Sequence, residues 1–408
     1  MPAMKQPASA NSNAAKPKIR LPKDAARLVH LSEAAVGSAS RAESLYWQAL
    51  TETLASELMD RGNDKALEAA LEHTHKQTTT APEFLVAACE AAAESCVVTV
   101  DGISKQAVLV SIPLITWSKY QIPAGALSES AIAPLRSHLH GHILGRDVSL
   151  CLNPFLYSID QLPRGFSDTR ALLKTMTDAA MHAEPAEIDY ASLGDAAMLP
   201  ADVRFLLGVV VANFGSPLFQ WQEIDGKDSG RSREDCLQQW SKQTRAPLAT
   251  LLPGCEFECG LPNAYFSNCR EADIRIRPFT LVSNLSAMTS LLDAPPSAMA
   301  AVVASVGDGR VDEYRVSITR RGQNDVLNGV VWPLYGDEDE DDDTNPSPRE
   351  AIETLLRENK LGDVTLLEGL RAPEYCEDCG APLFYTHDGE AVHAHLPDDV
   401  EHPTAHFH

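Results

Sequence analysis

Val108-Leu-Val-Ser-Ile-Pro-Leu-Ile-Thr-Trp117 is apolar almost throughout rather than alternating, the signature of a strand covered on both faces. A helical pattern follows over 128–143, then a second strand, Asp147-Val-Ser-Leu-Cys-Leu-Asn-Pro154. The outline returns with Val209-Val-Val-Ala-Asn-Phe-Gly-Ser-Pro-Leu-Phe-Gln-Trp221, a helix over 233–251 and Cys255-Glu-Phe-Glu-Cys-Gly-Leu-Pro262. A weaker third copy runs from Gly329-Val-Val-Trp-Pro-Leu-Tyr335 through a helix over 348–359 to a strand from Asp363 and then Pro373. From Pro113 to Pro154, Pro217 to Pro262 and Pro333 to Pro373 the spans are 41, 45 and 40 residues, close enough to read as an internal repeat. Each copy reads as a buried strand closed by Pro-Leu, a helix and a returning strand. That is the length of a β-α-β crossover, which places parallel strands in one sheet with helices on its faces.

The expected fold is therefore α/β, with α+β as the alternative. It comprises an N-terminal helical layer, pseudo-repeated β-α-β units forming a mixed sheet, and a small C-terminal metal-binding hairpin. Residues 1–22 read as a disordered basic arm, polar and without the apolar stretch of a secretory signal. Residues 23–96 read as helices, since Leu28, Leu31 and Ala35, then Leu45, Tyr46, Ala49, Leu50, Leu54 and Leu58 recur every three or four positions. The first two repeats occupy 97–182 and 201–292, with further helices over 167–181 and 263–292. A hairpin, 300–306 and 311–319, joins the third in 299–371, and a Cys/His tail occupies 372–408.

In that tail, Cys376-Glu-Asp-Cys379-Gly380 is a turn that aims two thiolates at one point. Asp388-Gly389 then marks a hairpin whose returning strand carries His393 and His395, two apart and so on one face. Two thiolates and two imidazoles suit a tetrahedral, structural zinc. His393 stands at about the spacing of a zinc finger, and its partner comes from His395 or from the group His402, His406 and His408. The preferred set is Cys376, Cys379 and His395 with one of His406 or His408. The competing reading is a solvated His-rich tail behind an accidental or redox-active cysteine pair. The histidines are interleaved with Pro, Asp, Val and Phe, which argues against a purification tag.

Composition narrows the function classes. A chain of 408 residues with 44% hydrophobic content supports two or three cores, and no apolar run reaches the roughly 18 residues of a membrane span. Its formal charge of −23 argues against direct nucleic-acid binding, which rests on neutralising phosphates. Part of that charge is the run 337–343, read as a self-repelling acidic loop. Nine cysteines, an odd number scattered through apolar segments, suit reduced thiols in a cytoplasmic protein.

Other constellations read as packing or surface. His138 and His142 share a helix face without a third ligand nearby. Cys255, Phe257 and Cys259 alternate as one strand face, so they and Cys269 read as buried thiols. Trp117 and Trp221 read as packing aromatics, with a ligand cleft at the strand ends as the alternative. Arg270, Glu271, Asp273, Arg275 and Arg277 read as a salt-bridged, solvated helix face, with a polar cleft wall as the alternative. No nucleophile elbow and no phosphate loop is present in the sequence.

Taken together, Pro113-Leu-Ile-Thr-Trp117, Arg270-Glu-Ala-Asp-Ile-Arg-Ile-Arg-Pro-Phe279 and Cys376-x-x-Cys-Gly-x-Pro-Leu-Phe384 resemble an uncharacterised beta-proteobacterial family carried as a domain of unknown function. The resemblance implies a bacterial cytosolic protein and supplies no activity, cofactor or site residue. The tail alone is similar to one half of a zinc ribbon, lacking the second Cys-x-x-Cys. Two functions follow as expectations: a non-enzymatic binding or regulatory scaffold clipped by a closed zinc site, its protein partner unidentified, or a metal-dependent hydrolase. The second needs three protein ligands, a bound water and a carboxylate base such as Glu390 or Glu401.

Overall fold

The computed structural model of the chain describes residues 21–75, 80–182, 184–223, 231–335, 338 and 346–396. Two compact units divide it: one holds the helices up to Ala93 with Gly165–Arg170, the other holds Glu94–Arg164 and everything from Ala171. The expected arm, most of the acidic run and His402, His406 and His408 lie outside the described residues.

The first unit is built from α1 (Lys23–Val36), α2 (Arg41–Asp60), α3 (Asp64–His75) and α4 (Ala81–Glu94). Ser40 caps α2 by accepting the Glu43 amide, and Leu54, Ala55, Leu58 and Met59 form its buried stripe. The segment from Gly165 belongs to this unit through polar contacts: Ser167 Oγ lies 2.5 Å from Asp64, and Arg170 pairs with Asp60 at 2.5 Å.

The second unit begins with a hairpin, β1 (Ser95–Val100) and β2 (Ile103–Trp117). It continues through β3 (Gly125–Ala126), α5 (Glu129–His142), β4 (Ser149–Leu152), β5 (Phe155–Ser158), the part of α6 (Phe166–His182) from Ala171 onward, β6 (Ala201–Asn213), α7 (Arg233–Leu251), β7 (Glu256–Cys259), β8 (Asn263–Ala264) and α8 (Tyr265–Leu291). At its centre β2 and β6 pair antiparallel from Lys105↔Asn213 to Trp117↔Ala201. β4 lies antiparallel on the far side of β6, and β7 antiparallel on the far side of β2. Hence β2 runs parallel to β4, and β6 to β7, each pair split by a strand of the other. The order β4-β6-β2-β7 has the connectivity of the ferredoxin-like, split β-α-β motif.

The mixed α/β architecture expected from the sequence is present, and three details refine it. First, the parallel strands of each crossover share one sheet as expected but are not adjacent, because strand spacing along the chain says nothing about what inserts between them. Secondly, β6 starts at Ala201 rather than Val209; Asp202 and Arg204 disguise its first half, where they form a buried ion pair, and Arg204 also donates to the carbonyls of Ile122 and Pro123. Thirdly, Pro113 does not close β2, which runs on to Trp117. A proline has no amide to donate, and the neighbouring edge is broken opposite it, between β7 and β8. There the Gly260 amide donates to the Pro113 carbonyl at 2.7 Å, and a Cβ on Gly260 would meet the proline ring at 2.5 Å.

Both faces of this sheet are covered, which explains the near-continuous apolar runs. Val110, Ile112 and Leu114 of β2 with Leu206 and Val210 of β6 pack against α5 and α7. Leu109 and Ile115 with Phe205, Leu207 and Val209 pack against α6 and the first half of α8.

The third expected crossover belongs to a separate sheet. β9 (Met299–Val306), β10 (Glu313–Arg320), β11 (Val326–Pro333), α9 (Pro348–Glu358) and β12 (Asp363–Arg371) give the order β11-β10-β9-β12, with only β9 and β12 parallel neighbours. One face buries Val303, Val316, Val330 and Trp332 against Leu281 of α8 and Ile352 and Leu356 of α9. The opposite face receives the tail, a two-stranded sheet of β13 (Phe384–Tyr385) and β14 (Ala391–Val392).

Candidate metal centre

Ladder and turn contacts build the knuckle. Leu383 N donates to Glu374 O at 3.0 Å, Cys376 N to Ala381 O at 2.8 Å, and Gly380 N back to Cys376 O at 2.8 Å. Gly380 takes φ 72°, the left-handed conformation that closes this turn and that glycine adopts without steric cost. The Asp388-Gly389 turn follows as expected: Thr386 N donates to Glu390 O at 2.9 Å, and Tyr385 stands opposite Ala391.

The chain then brings one imidazole to the two thiols. Ligand atoms of Cys376, Cys379 and His393 all lie within 4.8 Å of one another, the one such group of His, Cys, Asp or Glu among the described residues. His393 Nε2 is 3.3 Å from Cys379 Sγ, while its Nδ1 lies 2.9 Å from the Ala394 carbonyl. A proton on Nδ1 donated to that carbonyl leaves Nε2 as a free lone pair directed at the thiols, the arrangement found in metal-ligating histidines. Cys379 is exposed, and Cys376 and His393 are half-buried.

The preferred reading of the sequence puts His395 in the ligand set, whereas the structure groups His393 with the cysteines. The two rings share a face, as their spacing requires, and stack with centroids 4.6 Å apart. The His395 amide donates to Val326 O at 2.9 Å.

The sheet beneath holds the hairpin through residues that carry no signal in the sequence. Arg315, Ser317 and Thr319 alternate with Tyr314, Val316 and Ile318 along β10, a pattern ordinarily ascribed to a solvent-facing strand side. All three polar residues are fully buried under the tail. Arg315 Nη1 donates to the carbonyls of Glu374 and Leu383, each at 2.6 Å, and its Nε pairs with Glu313 at 2.7 Å. Thr319 and Thr365 hydroxyls lie 3.4 and 3.1 Å from the two ring nitrogens of His387.

Elsewhere, Cys255 and Phe257 pack with the buried Cys259 in the core. Burial pushes the thiols of Cys259 to about 11 and of Cys89 and Cys269 to about 12, so they stay protonated near neutrality, a poor state for a nucleophile or ligand. Trp117 stacks on Phe279 and Trp221 on Phe219, both tryptophans half-buried against the cores of the large sheet. His138 and His142 stack on each other with centroids 5.8 Å apart. The charged row on α8 departs from a solvated face at Arg277, which is 5% exposed. Its guanidinium lies 3.8 Å from Asp273 and 3.1 Å from Glu338, the described residue of the acidic run, with Trp332 and Tyr335 rings against it.

Fold and site thus define a mixed α/β protein with a C-terminal Cys-Cys-His cluster able to hold a metal ion. A family model described as "Protein of unknown function (DUF2863)" matches residues 13–407, and the chain belongs to that family. No curated protein and no solved structure matches it. Among the described residues, no helix is long and apolar enough to cross a membrane.

Proposed function

We propose that the protein is a cytoplasmic, non-enzymatic binding or regulatory scaffold whose C-terminal hairpin is clipped by a structural zinc. The supporting observation is the convergence of Cys376, Cys379 and His393 within 4.8 Å on a hairpin seated over a buried polar strand face. Thiolate with imidazole is the donor set that favours zinc over magnesium or calcium, which take oxygen. The fourth ligand in this reading is His395, His406 or His408. Structural sites close the tetrahedron with protein atoms, and the metal then ties the knuckle to β14 as a crosslink.

Metal analysis of untagged protein with X-ray absorption at the metal edge tests this. One zinc with two sulfur and two nitrogen neighbours is the expected result, and a chain without metal would defeat it. The exposure of Cys379 favours a second reading, a metal-dependent hydrolase with an open coordination position and Glu390 or Glu401 as base. An oxygen neighbour replacing one nitrogen would select that reading and direct work to hydrolysis assays.

A further inference from the structure

We infer that Arg315 is the positioning residue of the metal knuckle, setting its affinity from beneath without touching the ion; this rests on the metal reading above. Arg315 projects from β10 and is fully buried. A single nitrogen, Nη1, donates to Glu374 O and to Leu383 O at 2.6 Å each. Those two residues are themselves partners, since Leu383 N donates to Glu374 O. The guanidinium therefore pins both legs of the loop at its base, two residues before Cys376 and four after Cys379. The Tyr375 ring covers the same guanidinium at 5.1 Å, and the Arg315 Nε donates to the Glu313 carboxylate at 2.7 Å.

A knuckle without this clamp would carry the same ligands on legs free to splay, so the thiolates would have to be gathered as the metal binds. Partners that hydrogen-bond the ligands themselves contribute roughly 10–100-fold to metal affinity, and a clamp one step further out, on the legs that carry the ligands, is expected at the lower end of that range. Lysine is no equivalent, because one ammonium cannot reproduce the planar fork shared between two carbonyls and a carboxylate.

The test is zinc affinity by competition with a chromophoric chelator for wild type, Arg315→Lys and Arg315→Met, alongside the melting midpoint of each metal-free protein. The expected result is a Kd raised about 10-fold or more in both variants, with Cys376, Cys379 and His393 unchanged in sequence. The cobalt-loaded Arg315→Lys protein should also show displaced ligand-field bands. A merely structural role would lower the melting midpoint and leave the bands where they are. Wild-type affinity and wild-type bands in Arg315→Lys would overturn the inference, and that variant alone decides where Arg315→Met does not fold. If wild type binds no zinc, the metal reading fails first. Amide exchange at Leu383 in metal-free protein then decides the clamp alone: faster exchange in Arg315→Lys upholds it, and unchanged exchange removes it.

Discussion

The Ser317 hydroxyl of β10 is the partner of both backbone groups of Tyr385: it accepts from the Tyr385 amide at 3.0 Å and donates to the Tyr385 carbonyl at 2.7 Å. One side chain thereby stands in for a strand neighbour, since β13 lies over the sheet rather than beside it. Ser317→Ala would leave a buried amide and a buried carbonyl without partners, at a cost of about 1–3 kcal/mol. Urea unfolding with amide exchange at Tyr385 should show both the lost stability and a Tyr385 amide that exchanges faster than its neighbours in β9. Unchanged protection at Tyr385 would mean that the hairpin is not held here.

Gly329 on β11 makes the complementary contact. A Cβ at that position would overlap the Phe384 ring, which is itself buried. Gly329→Ala therefore either shifts Phe384 or lifts the hairpin, an overpacking penalty of about 1–3 kcal/mol. The expected outcome is a lower thermal midpoint, and Phe384→Leu in the same chain should recover part of it. Failure of the second change to help would place the cost in the strand backbone rather than at the ring.

The Arg277 cluster yields a pH dependence. Burial raises the Asp273 carboxyl above its usual 3.8, against the pull of Arg277 and Tyr335 and with a further push from Glu338. A carboxyl raised on folding contributes stability that is complete below its unfolded value and is lost as pH climbs through the folded one. The stability difference between wild type and Asp273→Asn should therefore move in favour of the variant as pH rises from about 4.5 to about 7.5, the span above the unfolded carboxyl value. Urea denaturation at the two pH values measures it. A difference independent of pH would show that Asp273 titrates alike in folded and unfolded chains.

Much of this was legible where the signal is local. The helix starts at Arg233 and Pro348 follow from Ser232 with Asp235 and Ser347 with Glu350, reciprocal caps spaced three apart. The knuckle was legible because Cys-x-x-Cys-Gly and Asp-Gly each specify their own turn. What the sequence concealed was set at long range. Whether β6 separates β2 from β4 depends on a pairing far along the chain. Likewise Arg315, Ser317 and Thr319 look like a wet face until the tail is laid over them. The sequence also does not say which imidazole stands beside the thiols: His393 joins their 4.8 Å group with its Nδ1 on Ala394 O, while the His395 amide is paired with Val326 on another strand.

The metal clip should be separable from the larger sheet. Among the described residues the ligand group draws nothing from β2 or β6, whereas the hairpin is joined to β10 through Arg315 and Ser317 and to β11 through Val326. Cys376→Ser combined with Cys379→Ser should release one equivalent of metal and leave the β2–β6 amides protected. The same change should weaken the tail and its anchorage on β10 and β11, because a ligand bound only to the folded state at about 100 times its Kd contributes about 2.7 kcal/mol. Exchange mass spectrometry on wild type, on chelator-treated wild type and on the double variant reads both sheets at once. The chelated protein and the variant should match, with faster exchange confined to β10, β11 and the tail. A variant that keeps its metal would remove the two cysteines from the site, and loss of protection in β2 would show that the sheets unfold together.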